Sequence, residues 1–197
     1  MQRDDVCEVV ETGSNANGPL VMIEEALRQA KVEREQIECV AVGLGPGSYT
    51  GIRAAIALAQ GWQLARHVKL LGISSAECIA AQARADGFRG RYSVAIDAQR
   101  GEFYFAAYEF SDAHRHEIEP LRIVTRTELQ QQAGFGSAVI GPEVTRWFPF
   151  GRIVFPRAAM LCQLVQNRTD FVSGEKLEPI YLRETKFVKA PPSRIVS

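Results

Sequence analysis

The stretch Gly43-Leu44-Gly45-Pro46-Gly47-Ser48-Tyr49-Thr50-Gly51 is the part of the sequence best suited to hold an anion. Glycines at a strand-to-helix turn leave backbone N–H groups uncovered, and the dipole of the following helix favours negative charge there. Gly47, Ser48, Thr50 and Arg53 are therefore candidate contacts to a phosphate or nucleotide. The turn is not a Walker A loop, because no Lys precedes the Ser or Thr that would meet Mg²⁺. It is not G-x-G-x-x-G either, since Pro46 stands in the middle and position 48 is Ser48. A tight strand-to-helix connection explains the same glycines by positive φ and close packing. Arg53, one turn into the helix, can meet an anion or pair with an acidic neighbour.

Asp97 ends an apolar run and is followed by Gln99, Arg100 and Glu102. Strand C-termini in α/β sheets point towards ligand crevices, which makes Asp97 a further candidate nucleotide contact. Capping its own turn is the other reading. Of the three histidines, His67 follows a helix, where a cation suits the dipole. His114 and His116 stand in a polar stretch that reads as a hairpin tip. His-x-His does not complete a metal site by itself, and neither HExxH nor HxxxH occurs, so no metal is expected. A Gly-x-Ser-x-Gly elbow is also absent. No residue is expected to be catalytic.

These residues sit on a simple alternation of elements. Val6 to Glu11 is short and β-branched and reads as a strand, and Gly13 to Gly18 as a turn. Pro19 suits the first position of a helix running to about Lys31, with Leu20, Ile23, Leu27 and Ala30 on one face. Cys39 to Leu44 is a continuous apolar run, as in a strand covered on both faces. Thr50 to Arg66 is a helix with apolar residues in nearly every direction, so it is either deep in a core or pressed against a partner. Val68 to Ile73 is a strand, Ser74 or Ser75 caps a helix to about Ala85, and Tyr92 to Ile96 is a strand. Parallel strands are expected in this half. After Asp97 come strands at Glu102 to Phe110, Leu121 to Val124, Ala138 to Ile140 and Ile153 to Phe155. Thr125 caps a short helix, and Ala158 to Gln166 is another, with Met160, Leu161, Leu164 and Val165 inward. The tail from Ala190 to Ser193 reads as loose. Two domains are expected, residues 1–97 and 98–197.

Composition narrows the class. The chain has 197 residues, 46% hydrophobic and 23% charged, with 23 Lys+Arg against 23 Asp+Glu. A protein built chiefly to grip a phosphate backbone shows a basic excess. Four cysteines, Cys7, Cys39, Cys78 and Cys162, form no CxxC pair and read as free, buried thiols. Nothing resembles a signal peptide or a membrane span, and a cytoplasmic location is expected.

Three motifs together resemble the TsaB (YeaZ) family. Gly45-Pro46-Gly47-Ser48-Tyr49-Thr50-Gly51-Ile52-Arg53, with Ala59-Gln60-Gly61 downstream, is similar to that family's GPGSFTGxR…AxG segment. Ile96-Asp97-Ala98-Gln99-Arg100-Gly101-Glu102-Phe103-Tyr104 resembles its IDARxGEVY stretch, and Pro179-Ile180-Tyr181-Leu182-Arg183 its PxYLR. The likeness runs from about Val6 to Arg183.

The resemblance implies an α/β, actin-like (ASKHA, ribonuclease-H-like) two-subdomain fold without catalytic parts. It implies a scaffold and activator of TsaD, the related catalytic subunit, working with the ATPase TsaE. Together these place threonylcarbamoyl on N6 of adenosine 37 of tRNAs reading ANN codons. ATP and metal are expected on the partner subunits, and tRNA is met through the complex. The implied interface is a four-helix bundle built from the first two helices, here with Leu20, Ile23, Leu27, Ile52, Ile56, Ala59 and Gln63. The same pair can form a homodimer in isolation. Family members open with a strand, an Asp-Thr-Ser turn and a second strand, which have no counterpart before Val6, so an incomplete N-terminus is expected. The rival reading is a small ASKHA-type phosphotransferase or hydrolase using Asp97 and Glu102; a peptidase lacks its metal motif.

Overall fold

The computed structural model describes residues 6–11, 18–111, 115–134, 138–166 and 168–183. Most of the expected turn at 13–18, His114 and the tail at 190–193 lie outside them.

Cap chemistry sets the helix starts. Pro19 opens α1 (Pro19–Ala30), which ends on Lys31 in the left-handed region. Ser48 Oγ accepts from the Gly51 N–H (3.3 Å) at the start of α2 (Tyr49–Arg66). Ser74 Oγ accepts from the Ala76 N–H (3.2 Å) ahead of α3 (Ser75–Ala85). Thr125 and Glu128 form a reciprocal box before α4 (Arg126–Gly134): the Glu128 N–H donates to Thr125 Oγ1 (3.2 Å), and the Thr125 N–H donates to the Glu128 carboxylate (2.9 Å). In α5 (Ala158–Val165), Met160 is buried, and Leu161, Leu164 and Val165 are half-buried. No helix among the described residues is long and apolar enough to cross a membrane.

The strands form two sheets. β1 (Cys39–Gly43) and β2 (Lys69–Ile73) pair in parallel from Cys39↔Lys69 to Gly43↔Ile73. The second sheet has the order β5-β4-β3-β6-β7, with β3 (Gly90–Asp97), β4 (Glu102–Phe110), β5 (Arg115–Thr125), β6 (Ala138–Gly141) and β7 (Arg152–Ile153). β4 runs antiparallel to both β3 and β5, while β6 and β7 continue in parallel from β3. Strand alternation splits its apolar residues between two faces. Val94, Tyr108 and Ile140 meet Ile79 and Ala83 of α3 on one face; Phe103, Phe105 and Val139 meet Leu129 of α4 on the other. A third core joins α2 to the two-stranded sheet through Val42, Ile56, Ala59, Val68 and Leu70.

The chain after α5 returns to this third core as a strap. The Val172 N–H donates to Leu70 O (3.0 Å), Leu177 is buried beneath α2, and the Ile180 N–H donates to Leu44 O (2.9 Å).

Three expectations need correcting. Residues 6–11 form no strand, because no neighbouring strand supplies a ladder; Glu8 instead anchors them by accepting from the Ala159 N–H (3.1 Å) and the Arg157 guanidinium. β1 is not covered on both faces: only Val42 is buried, and Cys39 is exposed. Among the thiols, all free, only Cys78 is fully buried, while Cys39 and Cys162 are exposed.

Candidate functional site

The three motifs lie far apart in sequence, and the last of them touches both of the others: Tyr181 at the N-terminus of α2 and Arg183 at the β3–β4 turn. Tyr49 and Tyr181 place their rings 5.8 Å apart, and the Arg53 guanidinium sits 5.4 Å from the Tyr49 centroid while donating to its hydroxyl (3.1 Å). Hydrogen bonding to Tyr181, together with the Tyr49 hydroxyl, pushes the Arg53 pKa upward. Arg183 reaches the β3–β4 turn, where it donates to Ala98 O (2.9 Å) and to the Glu102 carboxylate. One strap thus ties the helix start to the hairpin.

These contacts account for most of the side chains that could do chemistry. The Asp97 carboxylate accepts from the Gln99 N–H (2.8 Å) and from its side-chain amide (3.0 Å), closing a turn in which Gln99, Arg100 and Gly101 all have positive φ. Glu102 is held by Arg183, Arg53 by two tyrosines, and the Ser48 hydroxyl by the helix cap. Gly45 is required by its φ of 91° and because a Cβ there would fall 2.7 Å from Ile52 Cδ1. Gly47 carries no such demand, and Gly47 and Thr50 remain exposed at the helix start. His116 lies on β5. No three His, Cys, Asp or Glu side chains among the described residues come together as a metal site.

The face beside this turn is different. α1 has no buried residue. Leu20 is 59% exposed, and Leu64 on the outer side of α2 is 83% exposed. A groove of about 440 Å³ runs between the helices, floored by Leu20, Ile23, Leu58, Gly61 and Trp62. Two ion pairs edge it, Arg34 with Glu24 and Arg66 with Glu35 (3.1 Å). Exposed pairs like these add little stability but fix charge positions.

Of the seven residues expected at a partner interface, Leu20 and Ile23 line the groove, and Leu27 is half-buried near its end. The other four point inward. Ile56 (6% exposed) and Ala59 (1%) belong to the third core, and Ile52 packs against it. Gln63 Oε1 accepts from the Gly174 N–H of the strap (2.6 Å). α2 carries two apolar stripes, and residues 52, 56, 59 and 63 trace the one that covers the sheet. The outward stripe is made of Ala57, Leu58, Gly61, Leu64 and Ala65, small residues beside an exposed Leu.

Comparison with known proteins agrees with the motifs. Residues 18–183 match the family model described as TsaD: tRNA N6-adenosine threonylcarbamoyltransferase. The tRNA threonylcarbamoyladenosine biosynthesis protein TsaB of Escherichia coli (strain K12) is 29% identical, over 89% of this chain and 83% of that protein. The Haemophilus influenzae protein of the same name is 25% identical, over 89% and 82%. Among solved structures, YeaZ from Pseudomonas aeruginosa is similar with a TM-score of 0.70 at 24% identity, over 83% of this chain and 82% of that one, a likeness of fold. The architecture is therefore the actin-like α/β (ASKHA) fold. With a match spanning most of its length, the chain belongs to the TsaB (YeaZ) family, within the wider tRNA N6-adenosine threonylcarbamoyltransferase family.

Proposed function

We propose that the chain serves tRNA threonylcarbamoyladenosine biosynthesis as a non-catalytic subunit that docks and activates a TsaD-like catalytic subunit, with a TsaE-like ATPase as a further partner. The observation that carries this reading is α1, a 12-residue amphipathic helix with no buried residue, beside an exposed apolar stripe of α2. Burying each large apolar side chain is worth roughly 1.5–3 kcal/mol, so a partner covering Leu20, Ile23, Leu58 and Leu64 gains several such contributions. The relatives' names support the process, and the uncovered helix pair supports this face as the docking surface. Engagement of Asp97 and Glu102 in turn and strap contacts supports a scaffold over a phosphotransferase or hydrolase. ATP and metal belong to the partner subunits in this reading, the working location is the cytoplasm, and a second copy occupies the same face when no partner is present.

Reconstitution tests it. Threonylcarbamoyl incorporation into unmodified tRNA by TsaD-like and TsaE-like subunits should depend on adding this chain, while the chain alone turns over no ATP. Full incorporation without it, or ATP turnover by it alone, contradicts the proposal.

A further inference from the structure

From Val144 to Thr169 the sequence contains no acidic residue, although the chain as a whole balances 23 basic against 23 acidic side chains. Within that run Arg146, Arg152 and Arg157 alternate with Trp147, Phe148, Phe150 and Phe155. The structure gathers Arg146, Trp147, Phe148 and Phe150 on one loop, while Arg152 lies over the Phe88 ring and Arg157 pairs with Glu8. Phe148 is buried in the core beneath α4 and anchors the loop. Trp147 is fixed with its ring edge-on to Phe103, centroids 5.2 Å apart at 84°. The Arg146 guanidinium lies 5.3 Å from the Trp147 centroid, and Arg126 Nη2 donates to the Trp147 carbonyl (3.3 Å). Phe150 is 97% exposed, so its ring contacts almost nothing of its own chain. Trp147, Pro149 and Phe150 wall a cavity of about 430 Å³ whose far side carries Gln130, Ala133 and Val139. The acid beside it is Glu143, paired with Arg146 at 3.2 Å on the surface.

An aromatic ring left in water is a burial opportunity not taken within the chain. The chemistry that suits exposed rings flanked by guanidinium groups, with an amide at the cavity wall, is that of unpaired nucleotides. Bases stack on aromatic faces, phosphates meet arginine, and an amide reads a base edge. The run from Val144 to Thr169 brings no carboxylate of its own, and Glu143 at its edge is already paired with Arg146. We infer that the Trp147–Phe150 loop is a direct contact for single-stranded RNA, which stacks an unpaired base against Phe150 and Trp147 while Arg126 and Arg146 face the neighbouring phosphates. This surface is built on α4, β6 and the loop before β7, which contribute nothing to the α1–α2 groove, so the inference stands apart from the docking proposal.

Fluorescence anisotropy with the whole chain tests it, using a labelled single-stranded RNA of about fifteen nucleotides and an A-form duplex of equal length. The single strand should bind more tightly than the duplex, and more weakly at about 200 mM salt than at about 50 mM. Phe150→Ala should raise the Kd about tenfold or more with the salt dependence unchanged. Arg146→Gln should flatten the salt dependence. Circular dichroism and co-purification with a TsaD-like subunit should be unaffected by Phe150→Ala. No binding by the unaltered chain, equal binding of duplex and single strand, or an unchanged Kd in Phe150→Ala overturns the inference. So does a protein contact in place of RNA, seen as self-association abolished by Phe150→Ala.

Discussion

The Gly174 N–H donates to Gln63 Oε1 at 2.6 Å, and the Gly174 carbonyl accepts from Gln60 Nε2 at 2.8 Å. A residue near the C-terminal end of the described chain is thereby gripped from both sides by α2. Gln63 also donates to Val68 O (3.4 Å), so it joins the strap, the helix end and the approach to β2. Gln63→Ala leaves the part-buried Gly174 N–H without its acceptor and should cost about 1–3 kcal/mol. Gly174→Ala puts a Cβ 3.0 Å from Gln63 Oε1 and 3.1 Å from Gln60 Cγ, and should cost about 1 kcal/mol or more. Urea unfolding of both variants measures these losses.

Neighbouring positions on α2 should separate core from surface. Ile56→Ala empties a core site and should cost about 2–5 kcal/mol. Leu64→Ala, at a side chain already in water, should shift stability by no more than about 0.5 kcal/mol. Thermal melts of the pair check the assignment of the two stripes.

Asp97 distinguishes scaffold from enzyme. Asp97→Asn keeps an oxygen acceptor for the Gln99 N–H, and should leave stability and the activity of a reconstituted complex within about twofold of the unaltered chain. Asp97→Ala removes the acceptor and should lower stability by about 1 kcal/mol. A large loss of activity in Asp97→Asn with intact stability would indicate a chemical role.

Glu8 gives a pH signature. Burial pushes its carboxyl up, but the Ala159 N–H and the Arg157 guanidinium outweigh this and hold its pKa below the ordinary 4.5. The folded value being the lower one, the tether contributes fully above about pH 4.5 and is lost as pH falls through the folded value. In Glu8→Gln the acid limb of stability should be flatter over that range. A carboxyl titration followed by NMR should place Glu8 below its ordinary value.

Local structure was legible where local chemistry decides it. Pro19, Ser74 and Thr125 marked three helix starts within a residue or so, Pro19 by its fixed φ and the two hydroxyls by caps satisfied two or three positions away. Asp97 as a turn cap was equally visible. Strand status at Val6 to Glu11 was not, since it depends on a ladder partner that no local pattern encodes. β5 begins at Arg115, well before the apolar Leu121, because its first half carries charged side chains on an open edge with irregular pairing to β4. The choice between the stripes of α2 required knowing which side the sheet occupies. The convergence of Tyr49, Glu102, Tyr181 and Arg183 required the strap, which has almost no regular structure to announce it.

The central claim is that the outer faces of α1 and α2 bind a TsaD-like catalytic subunit. The most direct measurement is calorimetric titration of that subunit with the unaltered chain, Ile23→Asp, Leu64→Asp and, as a control remote from the groove, Phe155→Asp. A carboxylate buried in an apolar interface is strongly unfavourable, so Ile23→Asp and Leu64→Asp should weaken binding by about 100-fold or more, with folding retained and Phe155→Asp binding normally. Unchanged affinity in both Ile23→Asp and Leu64→Asp would contradict docking on these helix faces.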